Sequence, residues 1–121
     1  MSLTRYSRNQ LLTSLLSSTV YVSLHSANPG DTGASEVTDA NYARQSATFN
    51  VDSSTGVATL SNALTWPASS GAYQVTHLCI WDSASGGNCL FRQALKTTES
   101  ISAGGIPAFA TGEITVGSQA V

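Results

Sequence analysis

A chain of 121 residues has room for one domain and one core. Its net charge is -2, and its five basic residues, Arg5, Arg8, Arg44, Arg92 and Lys96, form no run or stripe, which argues against a nucleic-acid partner. No apolar stretch approaches the roughly 20 residues of a membrane helix, so no membrane partner is expected.

Charged residues make up 10% of the chain, against roughly 25% in an ordinary soluble domain. Ser, Thr, Ala and Gly take their place. A surface of small hydroxyl residues suits a protein packed against neighbours, or an extracellular one.

Taken in order, Ser7-Arg8-Asn9-Gln10 matches a capping box, with a hydroxyl at the N-cap and Gln three residues on. Leu11, Leu12, Leu15 and Leu16 follow as one apolar stripe. The spacing predicts a helix over 7–17. About three turns do not hold alone, so the stripe must pack on a sheet or another subunit. The segment from Leu11 to Leu24 is not read as a signal peptide. Thr13, Ser14, Ser17, Ser18 and Thr19 break its apolar run.

Residues 19–25 alternate, with Val20, Val22 and Leu24 on one face and Tyr21, Ser23 and His25 on the other. Asn28-Pro29-Gly30-Asp31-Thr32-Gly33 breaks this strand and opens a loop reaching Asn41. Loops of that length are usually functional or interface elements. A second strand is predicted over 42–51, and short strands over 57–60 and 63–66, split near Ser61-Asn62. Pro67 ends the last of these.

Thr76 to Trp81 is the best strand in the chain. Nearly every side chain in it can be buried, which places it centrally in a sheet. Asp82 then starts a Ser/Gly-rich turn. Cys89 to Leu95 returns, so the stretch reads as a β-hairpin. A last strand is expected after Pro107, marked by Phe109, Ile114 and Val116, with a bulge at Gly112. Short strands at near-regular spacing predict an antiparallel β-sandwich, or a barrel-like closure of it, with one N-terminal helix. The expected domain is single, over 1–121, with the sandwich over about 19–117. Leu78, Ile80, Trp81, Phe91, Leu95, Phe109 and Ile114 are the expected core or its border.

Four groups of residues could carry chemistry. Cys79 and Cys89 flank the hairpin turn, and a register that pairs them would allow a disulfide. The alternative is two buried thiols. Two Cys and two His are not in finger-like order, so no zinc and no other cofactor is expected. His77, Cys79 and Asp82 are near in sequence, but side chains two apart on a strand diverge by about 7 Å, so a Cys–His nucleophile is not expected. The protein is expected to be non-enzymatic. Arg44 follows a loop holding Asp31, Glu36 and Asp39. It can pin that loop by an ion pair, or pair across a subunit boundary. Either would be worth about 1 kcal/mol or less if exposed. Trp66, Trp81 and Tyr73 can stack a sugar, but such residues more often anchor a core or interface.

The order of features resembles a known family. A short helix leads into Tyr21-Val22-Ser23-Leu24-His25-Ser26-Ala27-Asn28-Pro29-Gly30-Asp31. Then come Glu36-Val37, Tyr42-Ala43-Arg44-Gln45, Thr76-His77-Leu78-Cys79-Ile80-Trp81-Asp82 and Gly86-Gly87-Asn88. Together these resemble small virion proteins of tailed bacteriophages, commonly labelled tail-fibre proteins, alongside similar proteins that decorate phage heads. The likeness spans roughly residues 6–116. The two cysteines depart from it, since relatives tend to have small or apolar residues there.

The resemblance implies a structural role in the virion, with no catalytic residues to carry over. Its partners would be the major capsid protein or tail proteins, and a homo-oligomer is expected. Assembly in the bacterial host cytoplasm favours reduced thiols at Cys79 and Cys89. The chain has neither the length nor the repeats that help a fibre reach a receptor, and low charge suits packing on a lattice. On that ground the expectation is a head decoration, or cement, protein bound to the capsid surface. The alternative is a tail-fibre or minor tail protein with a receptor- or carbohydrate-binding role. The expected subunit contacts are Leu11, Leu12, Leu15 and Leu16 on the helix, Asn28, Pro29, Asp31 and Glu36 in the loop, and Arg44.

Overall fold

The computed structural model describes residues 3–117. The outermost ends of the expected domain, 1–2 and 118–121, lie outside the described residues. The chain is mainly β, with antiparallel ladders and one helix. The described sheets are open, so the barrel-like variant is not what forms.

Two compact units divide the chain. The first takes the residues up to Thr19, then Ala47–Leu64, then those from Phe109 on. The second takes Val20–Ser46 and Thr65–Ala108.

The first unit holds helix α1 (Arg5–Leu16) and strands β3 (Phe49–Asp52), β4 (Val57–Leu60) and β9 (Thr115–Val116), in the sheet order β3-β4-β9. The helix begins two residues earlier than the sequence pattern predicts. Thr4, not Ser7, is the N-cap, and its Oγ1 accepts the Ser7 amide at 3.1 Å. Two hydroxyls stood three apart, and the earlier one captures the free amide. Only Leu12 and Leu16 of the leucine stripe are buried, and α1 packs them against β3 and β4. Leu15 is half-buried and Leu11 exposed. The polar side of the first turns reaches the β3–β4 turn. Asn9 Nδ2 donates to the Ser53 carbonyl at 2.9 Å, and Arg8 Nη2 to that of Thr55 at 3.2 Å.

The expected strand over 42–51 splits. β2 (Gln45–Ala47) ends before Thr48, whose amide goes to Asn62 Oδ1 instead of a ladder. The last expected strand also splits, into β8 (Ala108–Phe109) and β9, and Gly112 is not a bulge. It sits in a turn at φ +87, where Glu113 N reaches the Ala110 carbonyl. A two-stranded ladder joins β5 (Leu64–Thr65) and β8.

The second unit is built on a four-stranded sheet, β2-β1-β6-β7. Here β1 is Val20–His25, β6 is Tyr73–Trp81 and β7 is Cys89–Ile101. The sheet places β6 centrally, as its apolar run requires. Leu78 and Ile80 face Leu24 and Val22 across the β1–β6 ladder, and all four are buried. Trp81 and, in the first unit, Ile114 are buried too, while Phe91, Leu95 and Phe109 are half-buried at the core's border. The return strand runs on to Ile101, past the expected end at Leu95, with a register shift between Val75 and His77.

Candidate functional site

Both faces of β1 turn inward. Ser23 and His25 sit on the face that alternation assigned to polar residues, yet each is 0% exposed. Burying such groups without partners is costly, so the fold must satisfy them. His25 Nδ1 lies 2.7 Å from the Ala34 carbonyl, and its Nε2 lies 2.6 Å from Ser23 Oγ. A carbonyl can only accept, so Nδ1 carries the proton and Nε2 accepts from the Ser23 hydroxyl. Ser23 Oγ in turn accepts Trp81 Nε1–H at 2.7 Å. The imidazole is therefore neutral, and burial pushes its pKa below the ordinary value.

A Ser beside a His suggests nucleophilic catalysis. This pair is sealed from solvent, and its hydroxyl is committed at both ends. Its role is to tie β1, β6 and the 26–41 loop together.

Arg44 is the second knot. Its Nε and Nη2 reach Glu36 Oε2 and Oε1, both at 3.0 Å, a bidentate pair. Nη1 donates to the carbonyls of Ser83 at 3.0 Å and Gly86 at 2.9 Å in the hairpin loop. The guanidinium carbon lies 3.7 Å from the centroid of the Trp81 ring. One side chain thus holds the 26–41 loop, the 82–88 loop and the core indole. Tyr42 completes the knot. Its hydroxyl donates to Glu36 Oε2 at 2.7 Å and accepts the Leu24 amide at 3.0 Å. Burial, and then the donation to Glu36, push the phenol pKa up. Burial alone would raise Glu36, but the bonds from Arg44 and Tyr42 outweigh it and hold the carboxyl below its usual range.

Asp39 clamps the far end of the loop. It accepts the Ser70 and Gly71 amides and the Ser70 hydroxyl, which hold its pKa down to about 2. Gly33 fits the loop for a steric reason. It sits at φ +77, and a Cβ there would run into the six-membered ring of Trp81.

The remaining sequence-selected residues scatter. Asn28 Oδ1 accepts the Gly30 amide at 3.0 Å, and Pro29 is buried. Asp31 meets Arg92 at 2.6 Å, but its side chain is 97% exposed, so the pair adds little. Trp66 and Trp81 are buried, so they form no sugar platform; only Tyr73 of that trio stays partly open. The ladder does not pair the cysteines. Cys79 stands opposite Arg92, and Cys89 stands opposite Trp81 after a register shift between Ile80 and Trp81. Both thiols are free, and burial pushes that of Cys79 up, with Cys89 adding to it. His77 pairs across the ladder with His25, and its Nδ1 lies 2.8 Å from Thr76 Oγ1. Asp82 caps the hairpin loop by accepting the Asn88 amide at 2.8 Å. No group of three metal-ligating side chains gathers among the described residues. No helix of the described residues is long and apolar enough to cross a membrane.

Sequence reasoning singled out Arg44 and Glu36 but missed Ser23, Tyr42 and the clamp role of Asp39. A polar residue at each alternate position of an otherwise apolar strand was the available signal for Ser23 and His25.

A family model described as "Podophage GP4 fiber I protein gp80" matches residues 2–117, almost the whole chain. The chain belongs to this podophage fibre family. No curated protein matches it. Membership of the gp80 family makes it a phage fibre-type virion protein. For a gp80-type chain, the two knots make sense as rigid mounts. They fix a long loop on the second unit.

Proposed function

We propose that this gp80-family chain is a tail-fibre subunit that acts by binding, without catalysis. The single observation that carries the reading is the family match over 2–117. It favours the fibre position over the head-decoration expectation, which rested on size and low charge alone. Arg44, Glu36, Tyr42 and Asp39 support a recognition role, because they hold the 26–41 loop in one conformation before any partner arrives. The fibre contacts other virion proteins and a surface component of the host cell.

Gold-labelled antibody against the protein, applied to intact virions and viewed by electron microscopy, tests the placement. Label is expected on the tail fibres. Label distributed over the capsid would overturn the reading and restore the decoration role.

A further inference from the structure

The 26–41 loop and the start of β6 line a half-open cavity of about 220 Å³ in the second unit. Its lining combines the Tyr73 ring, the apolar Val37, the hydroxyls of Ser26 and Thr38, and the carboxylates of Glu36 and Asp39. Neither knot uses Tyr73 or Thr38, and of the knot residues Glu36 lines the cavity.

We propose that this cavity is a subsite for one neutral sugar residue of a host surface glycan, a proposal that rests on the fibre reading. Four observations carry it. The volume falls below the roughly 300–1,000 Å³ of sites for drug-sized ligands, which suits a single ring. Tyr73 and Val37 offer aromatic and aliphatic surface to the C–H face of a pyranose. The Thr38 hydroxyl can donate or accept, and Ser26 Oγ, which donates to the Ser35 carbonyl, can accept. Glu36 Oε1 takes a hydrogen bond from Arg44 Nη2 and has a second lone pair for a sugar hydroxyl.

Charge decides against an acidic sugar. Both carboxylates are held below their usual pKa range and stay ionised at neutral pH. No cation lines the cavity, and the Arg44 guanidinium is committed to Glu36, Ser83 and Gly86. A free metal ion is disfavoured as well. Asp39 Oδ1 already accepts from Ser70 N, Ser70 Oγ and Gly71 N, and Oδ2 from Asn41 N and Ser70 N. The walls are fixed in advance by these same bonds, so binding orders little of the protein.

Saturation-transfer difference NMR on the full chain, with millimolar glucose, galactose, mannose, rhamnose and N-acetylglucosamine, tests the site. Glucuronic acid and N-acetylneuraminic acid serve as anionic probes. Transfer to at least one neutral sugar, and none to the acids, is expected. Tyr73→Ala should weaken the binding about tenfold, the equivalent of one lost stacking contact. Ala72→Phe, which adds bulk at a lining residue, should abolish it while leaving the amide spectrum of β1 unchanged, and it keeps the test valid if Tyr73→Ala fails to fold. No transfer to any neutral sugar, transfer to the acids, or binding that survives Ala72→Phe would each overturn the proposal. The virion labelling above is independent: capsid label with a positive sugar result would sink the fibre reading and leave the cavity assignment standing.

Discussion

Arg44 joins three parts of the second unit, because the 26–41 loop, the 82–88 loop and Trp81 of β6 all meet its guanidinium. Its side chain is 9% exposed and that of Glu36 25%. At that burial, removing one partner strands a charge. Arg44→Met should cost about 2–3 kcal/mol, less than for a fully buried pair because Glu36 keeps some solvent. Arg44→Lys should recover little, since an ammonium makes neither the fork nor the stack on Trp81. Denaturant midpoints at constant slope measure this. Glu36→Gln in the Arg44→Met background should return part of the loss; full additivity of the two changes would mean the pair does not couple. That Arg44 could pin the loop was legible in the sequence, because one Arg follows a loop rich in acids, but which of Asp31, Glu36 and Asp39 it takes was not. The Ser23–His25–Trp81 chain was not. Alternation reports which residues share a face, but it does not say that both faces are covered, as they are here.

At the scale of elements, the helix, the central strand and the hairpin were legible because each has a period and a punctuating turn. Boundaries failed where a side chain overrode the pattern. Thr4 competes with Ser7 for the helix start, and Asn62 takes the amide of Thr48 out of the ladder. The hairpin also shows why the thiol pairing could not be read from spacing. A register shift of one position between Ile80 and Trp81 moves Cys89 opposite Trp81. The β6–β7 arm is therefore expected to stand without a cross-link. Replacing Cys79 and Cys89 together by Ala should leave a cooperatively folded protein. It should lose no more than about 1–2 kcal/mol, all from the small cavity at buried Cys79. Melting the parent with and without a reducing agent is the direct check: a midpoint that drops on reduction would show a structural disulfide.

At the scale of the whole molecule, nothing in local composition marks where the chain passes from one unit to the other. Each unit is assembled from segments far apart in sequence, and periodicity is blind to such returns. The units do differ in how they should respond to acid. His25 has a folded pKa below its ordinary 6.5. Between those two values the unfolded chain binds more protons, so stability rises with pH there. The contribution is fully present above about pH 6.5 and is lost as pH falls toward the folded value. The physical cause is burial, which penalises the charged ring and outweighs the opposing hydrogen bond to the Ala34 carbonyl. Glu36, Arg44 and His77 also face the ring, the first favouring the charged form and the other two opposing it. Glu36, Asp39 and Asp82, in the same unit, and Asp52, in the other, have lowered values too. Their stabilisation is present above the ordinary carboxylate range and is lost as pH falls below about 4.5. Two stages follow. Between about pH 6.5 and 5 only the unit with His25 should loosen, seen as falling amide protection factors, corrected for the intrinsic pH dependence of exchange, in residues 26–41, with those of α1, β3 and β4 unchanged. Below about pH 4.5 both units should weaken. His25→Gln should remove the first stage and keep the second. Protection factors in the 26–41 loop that are constant down to pH 5, or equally pH-dependent in His25→Gln, would show that the imidazole does not hold it.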